Sequence, residues 1–145
     1  MRIHRSNALV IAGVLFLCSL CISVHAEQKE VFEDWEIHYS VFNSTFLDPE
    51  VAKNYDITRA VDRAVVTISV LNPELKSVKT KLKGTLTNQL SQEIRLNFNE
   101  IDDAAVYYVA AVRFSDQEIL KFKITAELPQ GQRTLSFSQK LYWNR

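Results

Sequence analysis

Hydrophobic and polar residues alternate with a period of two along most of the chain, the pattern of β-strands that bury one face. The first such segment, residues 35–41, places Ile37, Tyr39 and Val41 on one side. Residues 63–71 are β-branched at nearly every position, so we expect this strand at the centre of a sheet or covered on both faces. The other expected strands are 78–86, 94–98, 106–114, 120–126 and 133–143.

Turn-forming residues separate these segments and set the expected architecture. Residues 115–117 form a short polar turn, which predicts a hairpin between 106–114 and 120–126. A second turn is expected at Pro129-Gln130-Gly131. About seven strands at regular spacing predict an all-β fold, a β-sandwich of immunoglobulin-like architecture, with a meandering barrel as the alternative.

One segment between the first two strands departs from the alternation and predicts a short helix. Asp48 can cap it, Pro49 suits its first position and Glu50 complements its dipole, so we expect a helix from Pro49 to about Asn54. Its apolar side could close one end of the sandwich.

The N-terminal residues have the form of a secretory signal peptide. Arg2 and Arg5 precede an apolar core, and Val24-His25-Ala26 forms a cleavage site. We therefore expect residues 1–26 to be a signal peptide cut after Ala26, and residues 27–145 to form a single domain in the periplasm. An uncleaved membrane anchor is the alternative, because the apolar character runs to Val24.

Processing after Ala26 would narrow the available chemistry. Cys18 and Cys21 would be removed, so the mature chain would have no thiol and no disulfide, and its core alone would have to stabilise it. It would keep 15 basic and 17 acidic residues, a net charge of about −2, which predicts no affinity for nucleic acid. We expect no stable membrane span after cleavage.

Few residues offer catalytic or metal-binding chemistry. His38 is the only histidine of the expected mature chain, and no Cys/His spacing builds a metal site, so no metal, cofactor or catalytic residue is predicted. A small hydrolase using His38 with Ser40, Ser44 or Asp48 is the enzymatic alternative. The structural alternative is a histidine on a strand that hydrogen-bonds a neighbouring group.

A group of lysines suggests a different kind of site. Lys76, Lys79, Lys81 and Lys83 form a candidate basic stripe, to which Lys121 and Lys123 could add. Such a stripe would bind an anionic lipid or glycan, whereas the structural interpretation is a solvated sheet face.

Several motifs together resemble a known family. They are His38-Tyr39, the run from Asn43 to Leu47, the run from Pro49 to Ala52, Tyr55 and Arg59. They are similar to the opening of domain of unknown function 4426, a family of exported proteins of Gram-negative bacteria with no assigned activity. The resemblance implies a periplasmic location, and it directs attention to the segment from His38 to Arg59.

That segment gives two competing interpretations. As a binding surface, it would use His38, Tyr39, Asn43, Ser44, Thr45, Tyr55 and Arg59. As a structural plug, it would insert Phe46, Leu47, Val51 and Tyr55 into the sandwich and pair Arg59 with a carboxylate. The leading hypothesis is a non-catalytic periplasmic binding or adaptor domain that engages a protein or envelope component; the oligomeric state is left open.

Overall fold

The structure is a computed structural model that describes residues 28–144, so the expected signal peptide lies outside the described residues. Within this range there are nine strands: β1 (Lys29–Phe32), β2 (Trp35–Asn43), β3 (Arg63–Leu71), β4 (Leu82–Thr87), β5 (Glu93–Leu96), β6 (Asn99–Asp102), β7 (Val106–Arg113), β8 (Glu118–Leu128) and β9 (Gly131–Leu141). A 3-10 helix (Ser44–Phe46) and one α-helix, α1 (Pro49–Asn54), follow β2. None of the helices in residues 28–144 has the length and apolarity needed to cross a membrane.

The strands form two antiparallel sheets that share one core. Sheet A has the strand order β1-β2-β3-β7-β6, and sheet B has the order β5-β4-β8-β9. Buried residues of both sheets belong to one apolar cluster, and Tyr39 of sheet A stacks on Phe137 of sheet B with ring centroids 4.2 Å apart. The predicted all-β class with one short α-helix is therefore confirmed.

Strand β3 matches its sequence-based prediction at both ends. It lies at the centre of sheet A, between β2 and β7. Val66 and Ile68 on its inner face are fully buried, and Val65 on its outer face is 1% exposed. A strand covered on both faces requires apolar residues at successive positions, which explains why this segment does not alternate.

The expected hairpin between residues 106–114 and 120–126 is wrong. β7 pairs with β3 and β6 in sheet A, whereas β8 pairs with β4 and β9 in sheet B. The polar link therefore crosses between the sheets. It is held by the Glu118 carboxylate, which accepts a hydrogen bond of 2.6 Å from the Ser115 amide, and by Phe114, which is buried.

The expected strand 94–98 corresponds to β5, which already ends at Leu96, and a further strand that was not predicted, β6, follows in the other sheet. β5 pairs with β4 in sheet B, and β6 pairs with β7 in sheet A. Phe98 lies between them and packs against the core. The segment before β4 also crosses, because the Val78 amide bonds Val70 of sheet A while Leu82 begins β4 of sheet B.

Helix α1 has the predicted bounds and cap, but it does not plug the sandwich. The Asp48 carboxylate accepts a 2.8 Å hydrogen bond from the Glu50 amide, and Ala52 is the one buried residue of the helix. Phe46 is 68% exposed, and Val51 and Tyr55 are also exposed. Residues 54–57 line a cavity with Val109 and Ala111, which places this segment over the outer face of sheet A.

Candidate functional site

His38 lies on the outer face of sheet A, in a charged group with two neighbours. Its Nε2 is 2.7 Å from Oε2 of Glu36, and Nζ of Lys29 is 3.3 Å from Oε1 of the same carboxylate. The hydrogen bond from His38 is the main reason that the pKa of Glu36 lies below its usual value. Strand β2 therefore places His38 beside the carboxylate of Glu36, two residues earlier on the same face of the strand.

The hydroxyl groups near His38 have other partners. Ser40 Oγ is 2.6 Å from Thr67 Oγ1, and Ser69 donates to the carbonyl of Val106. Within residues 28–144, no hydrogen bond joins His38 to a serine hydroxyl. A nucleophilic serine needs a base within hydrogen-bond reach, so the arrangement that the hydrolase interpretation requires is not formed.

Tyr39 faces the opposite way from His38, because successive residues of a strand point to opposite faces. Its ring stacks on Phe137 between the two sheets and packs against the core. The structure therefore separates these two candidate binding residues, and the Tyr39 ring contributes to packing between the sheets.

Four of the candidate residues lie close together and form hydrogen bonds that fix the backbone around them: Asn43, Ser44, Thr45 and Arg59. Asn43 is buried and donates 2.7 Å to the carbonyl of Tyr142. Arg59 Nη2 donates 2.9 Å to the carbonyl of Thr45 and forms no ion pair with a carboxylate of residues 28–144, so the expected pairing with a carboxylate is wrong. Tyr55 lies apart from them at the end of α1.

Ser44 has the strongest structural role in this group. It is fully buried, and its Oγ both donates to the carbonyl of Ala60 (3.2 Å) and accepts from the amide of Ala60 (3.0 Å). One hydroxyl therefore satisfies both backbone groups of a residue sixteen positions along the chain. These contacts close the loop that contains α1.

Replacing Ser44 with alanine is expected to destabilise the fold by about 2 kcal/mol, because it leaves two partly buried backbone groups without partners. Urea unfolding would measure the loss. Ser138→Ala is the control, since Ser138 is exposed on β9, and its effect should stay within about 0.5 kcal/mol. Equal midpoints for the two variants would contradict the structural role of Ser44.

The candidate lysine stripe is divided between the two sheets. Lys79 pairs with Glu100 (2.9 Å) and Asp102 (2.7 Å) on β6 of sheet A, and these carboxylates raise its pKa above the usual range. Lys81 lies 3.8 Å from Glu127 of sheet B. Lys76 is exposed in the turn after β3, and Lys83 lies on the outer face of sheet B. The four lysines therefore do not form one continuous stripe.

A groove lined by aromatic residues lies beside the converging loop residues, and the sequence reasoning missed it. Phe46, Tyr142 and Trp143 line this aromatic groove between β2 and the end of β9, with exposed fractions of 68%, 54% and 37%. Lys140 Nζ lies 5.2 Å from the centroid of the Tyr142 ring. The available signal was the aromatic pair Tyr142-Trp143 at the end of the last expected strand.

The groove continues a long strand edge that has no pairing strand in the described part of the chain. Sheet A ends in β1 and β6, and sheet B ends on one side in β5, each a strand of four residues. The remaining edge is β9, which has eleven residues and pairs with no strand of residues 28–144 other than β8. A long edge strand offers a row of backbone donors and acceptors to another strand.

Comparisons with known proteins confirm the resemblance and assign no activity. The sequence model of the family described as "Domain of unknown function (DUF4426)" matches residues 29–144. The crystal structure of a DUF4426 family protein from Pseudomonas aeruginosa PAO1 is similar, with 28% identity and a TM-score of 0.74, over 84% of this chain and 99% of that one. No match was found among curated proteins.

A weaker similarity is to the crystal structure of a bromine derivative of BhCBM56. It has 10% identity and a TM-score of 0.44, over 78% of this chain and 98% of that one. A likeness at this level carries no argument about fold or function.

Proposed function

Because the chain belongs to the family of domain of unknown function 4426, whose description names no activity, we propose a function from its own geometry. It is a non-catalytic binding domain that adds an extended segment of a partner protein to the free edge of β9. The observation that carries this proposal is the eleven-residue edge strand leading into the aromatic groove. Strand addition gives affinity through backbone hydrogen bonds, and side-chain pockets give it specificity.

Charge indicates the chemistry of the partner segment. β9 contains Arg133 and Lys140 and no acidic residue; Lys140 is exposed, and Arg133 lies 3.6 Å from Glu33 in the turn before β2. An acidic extended segment would complement these cations, whereas a second copy of β9 would bring like charges together. The proposed occupant is therefore an acidic segment of a different protein.

The aromatic groove supports the same proposal. Exposed Phe46 and Tyr142 offer large apolar surfaces at the end of the edge strand, and Asn43 lies beside them. Aromatic residues in such positions often carry most of the energy of a protein–protein interface. An apolar residue at one end of the bound segment would occupy this groove.

We infer a periplasmic location from residues 1–26, whose charged start, apolar core and small-residue end have the form of a cleavable signal. We also infer an immunoglobulin-like architecture. The strand orders β2-β3-β7-β6 and β5-β4-β8-β9 support it, because they follow the A-B-E-D and C′-C-F-G orders of that fold, with β1 added at one edge.

Site-specific photo-cross-linking in the organism that naturally produces the full chain would test the function. Gln139→p-benzoylphenylalanine places the probe in the aromatic groove, and Asn99→p-benzoylphenylalanine places it on the short edge strand β6. We expect adducts only from position 139, joined to an extended acidic segment that mass spectrometry identifies. The same spectra should give a mature N-terminus at Glu27.

Two matched variants distinguish binding in the aromatic groove from nonspecific association of exposed apolar side chains. Phe46→Ala should lower the adduct yield about tenfold, the effect of losing an interface hot spot. Leu90→Ala, which removes another strongly exposed apolar side chain, in the turn before β5, should leave the yield unchanged. Adducts between two copies of this chain, or equal yields from positions 139 and 99, would overturn the proposal. A full-length cytosolic product would overturn the location alone.

A further inference from the structure

The outer face of sheet B carries four cations that form no ion pair with any other side chain of residues 28–144. Lys83 on β4, Arg95 on β5, and Lys121 and Lys123 on β8 are all exposed. Within residues 28–144, none of these four side chains makes an ion pair or a side-chain hydrogen bond. Lys79, by contrast, has two carboxylate partners. The positive charge of this face is therefore directed at solvent.

Strand register arranges these cations in two neighbouring rows with hydroxyl side chains between them. One row across the sheet is Arg95, Thr85, Lys123 and Ser136; the next is Lys83, Thr125 and Thr134. Neighbouring strands lie about 4.8 Å apart, so the backbones of Arg95 and Lys123 are about 10 Å apart. Neither row contains an acidic residue; Glu93 lies in the row beyond, and Glu127 pairs with Lys81.

The two rows border a depression in the sheet surface. A cavity of about 570 Å³ is lined by three cations (Lys83, Arg95, Lys123), two threonines (Thr85, Thr125), one carboxylate (Glu93) and the apolar or small residues Leu82, Gly84 and Leu96, so its net charge is positive. This volume lies within the range of small-molecule sites. The depression is therefore large enough to hold part of an extended ligand.

We propose that this face, here called the basic face and defined by the two rows and Lys121, binds an acidic polysaccharide. Carboxylates of the polymer would pair with Lys83, Arg95 and Lys123, and the threonine hydroxyls would hydrogen-bond sugar hydroxyls. The inference is independent of strand addition at β9, because it uses outward side chains of β4, β5 and β8.

The composition of the face distinguishes this ligand from two other polyanions. A membrane-surface site buries large apolar residues below the headgroups, and the two rows contain none. A single-stranded nucleic acid stacks its bases on aromatic side chains, and the rows contain none of these either. Cations interleaved with hydroxyl groups suit a chain of charged sugars.

Binding of the purified protein to polygalacturonate, a carboxylate polysaccharide, tests the proposal. We expect binding at low salt, about tenfold weaker or more at 0.15 M salt because screening shortens the reach of the charges. Lys83→Gln/Lys123→Gln should lower the affinity about tenfold at low salt. Lys53→Gln/Lys76→Gln is the matched control, since it removes the same charge from exposed sites elsewhere and should change the affinity less than twofold.

Two further ligands make the result decisive. Dextran, a neutral polysaccharide, should not bind, and vesicles of anionic phospholipid should bind no better than neutral vesicles. Equal affinities of the two double variants would overturn the proposal, as would salt-insensitive binding. Binding to anionic vesicles without binding to polygalacturonate would also overturn it and assign the face to a membrane surface.

Discussion

Replacing Phe122 with alanine is expected to lower the free energy of unfolding by about 3–5 kcal/mol, the range for a buried phenylalanine. Phe122 is 2% exposed and stacks on Phe137 with ring centroids 4.9 Å apart. Phe137 in turn stacks on Tyr39 of the other sheet. Truncation would therefore open a cavity where the two sheets meet, and no disulfide in residues 28–144 would limit the loss.

Urea unfolding followed by tryptophan fluorescence would measure the effect of Phe122→Ala. Lys121→Ala on the same strand is the control, because Lys121 is exposed on the opposite face. Its effect should stay within about 0.5 kcal/mol. A loss of less than about 1 kcal/mol for Phe122→Ala would show that this aromatic stack does not stabilise contact between the sheets.

The sequence patterns predicted well which face of each strand is buried, but they predicted poorly which strands pair with each other. The alternation of β8 and the β-branched run of β3 each follow from burial that a single segment experiences, so both could be read locally. The sequence could not show that β7 and β8 lie in different sheets, because a link of four residues can form either a hairpin or a crossing between sheets. The choice depends on which sheet each strand completes.

The candidate sites show the same difference between local features, which the sequence indicates, and contacts between distant residues, which it does not. Asn43 and Ser44 were expected in a binding surface, but both are buried and hydrogen-bond backbone groups of distant residues, Tyr142 and Ala60. The basic face includes Arg95 and Lys123, which share one row only because β4 pairs with both β5 and β8. Residues far apart in sequence share a face only once the register is known.

Replacing Gly84 with valine is expected to destabilise the fold by about 3 kcal/mol, the upper part of the range for overpacked cores. A Cβ at position 84 would lie 2.9 Å from Cε2 of Phe98 and 3.0 Å from Cδ1 of Leu96. Both neighbours are side chains near the crossing from β5 to β6, so relieving the clash would disturb the crossing. Urea unfolding would measure the loss.

A second substitution tests whether this clash is the cause. Phe98→Leu alone should destabilise moderately by removing part of a ring that packs on the core. Combined with Gly84→Val, it should cost less than the sum of the two single effects, because the smaller side chain makes room for the added methyl groups. Additive losses would instead mean that position 84 needs glycine for a reason other than its approach to Phe98. A favourable coupling would identify Gly84 as the residue that lets Phe98 fill the core where the chain passes between the sheets.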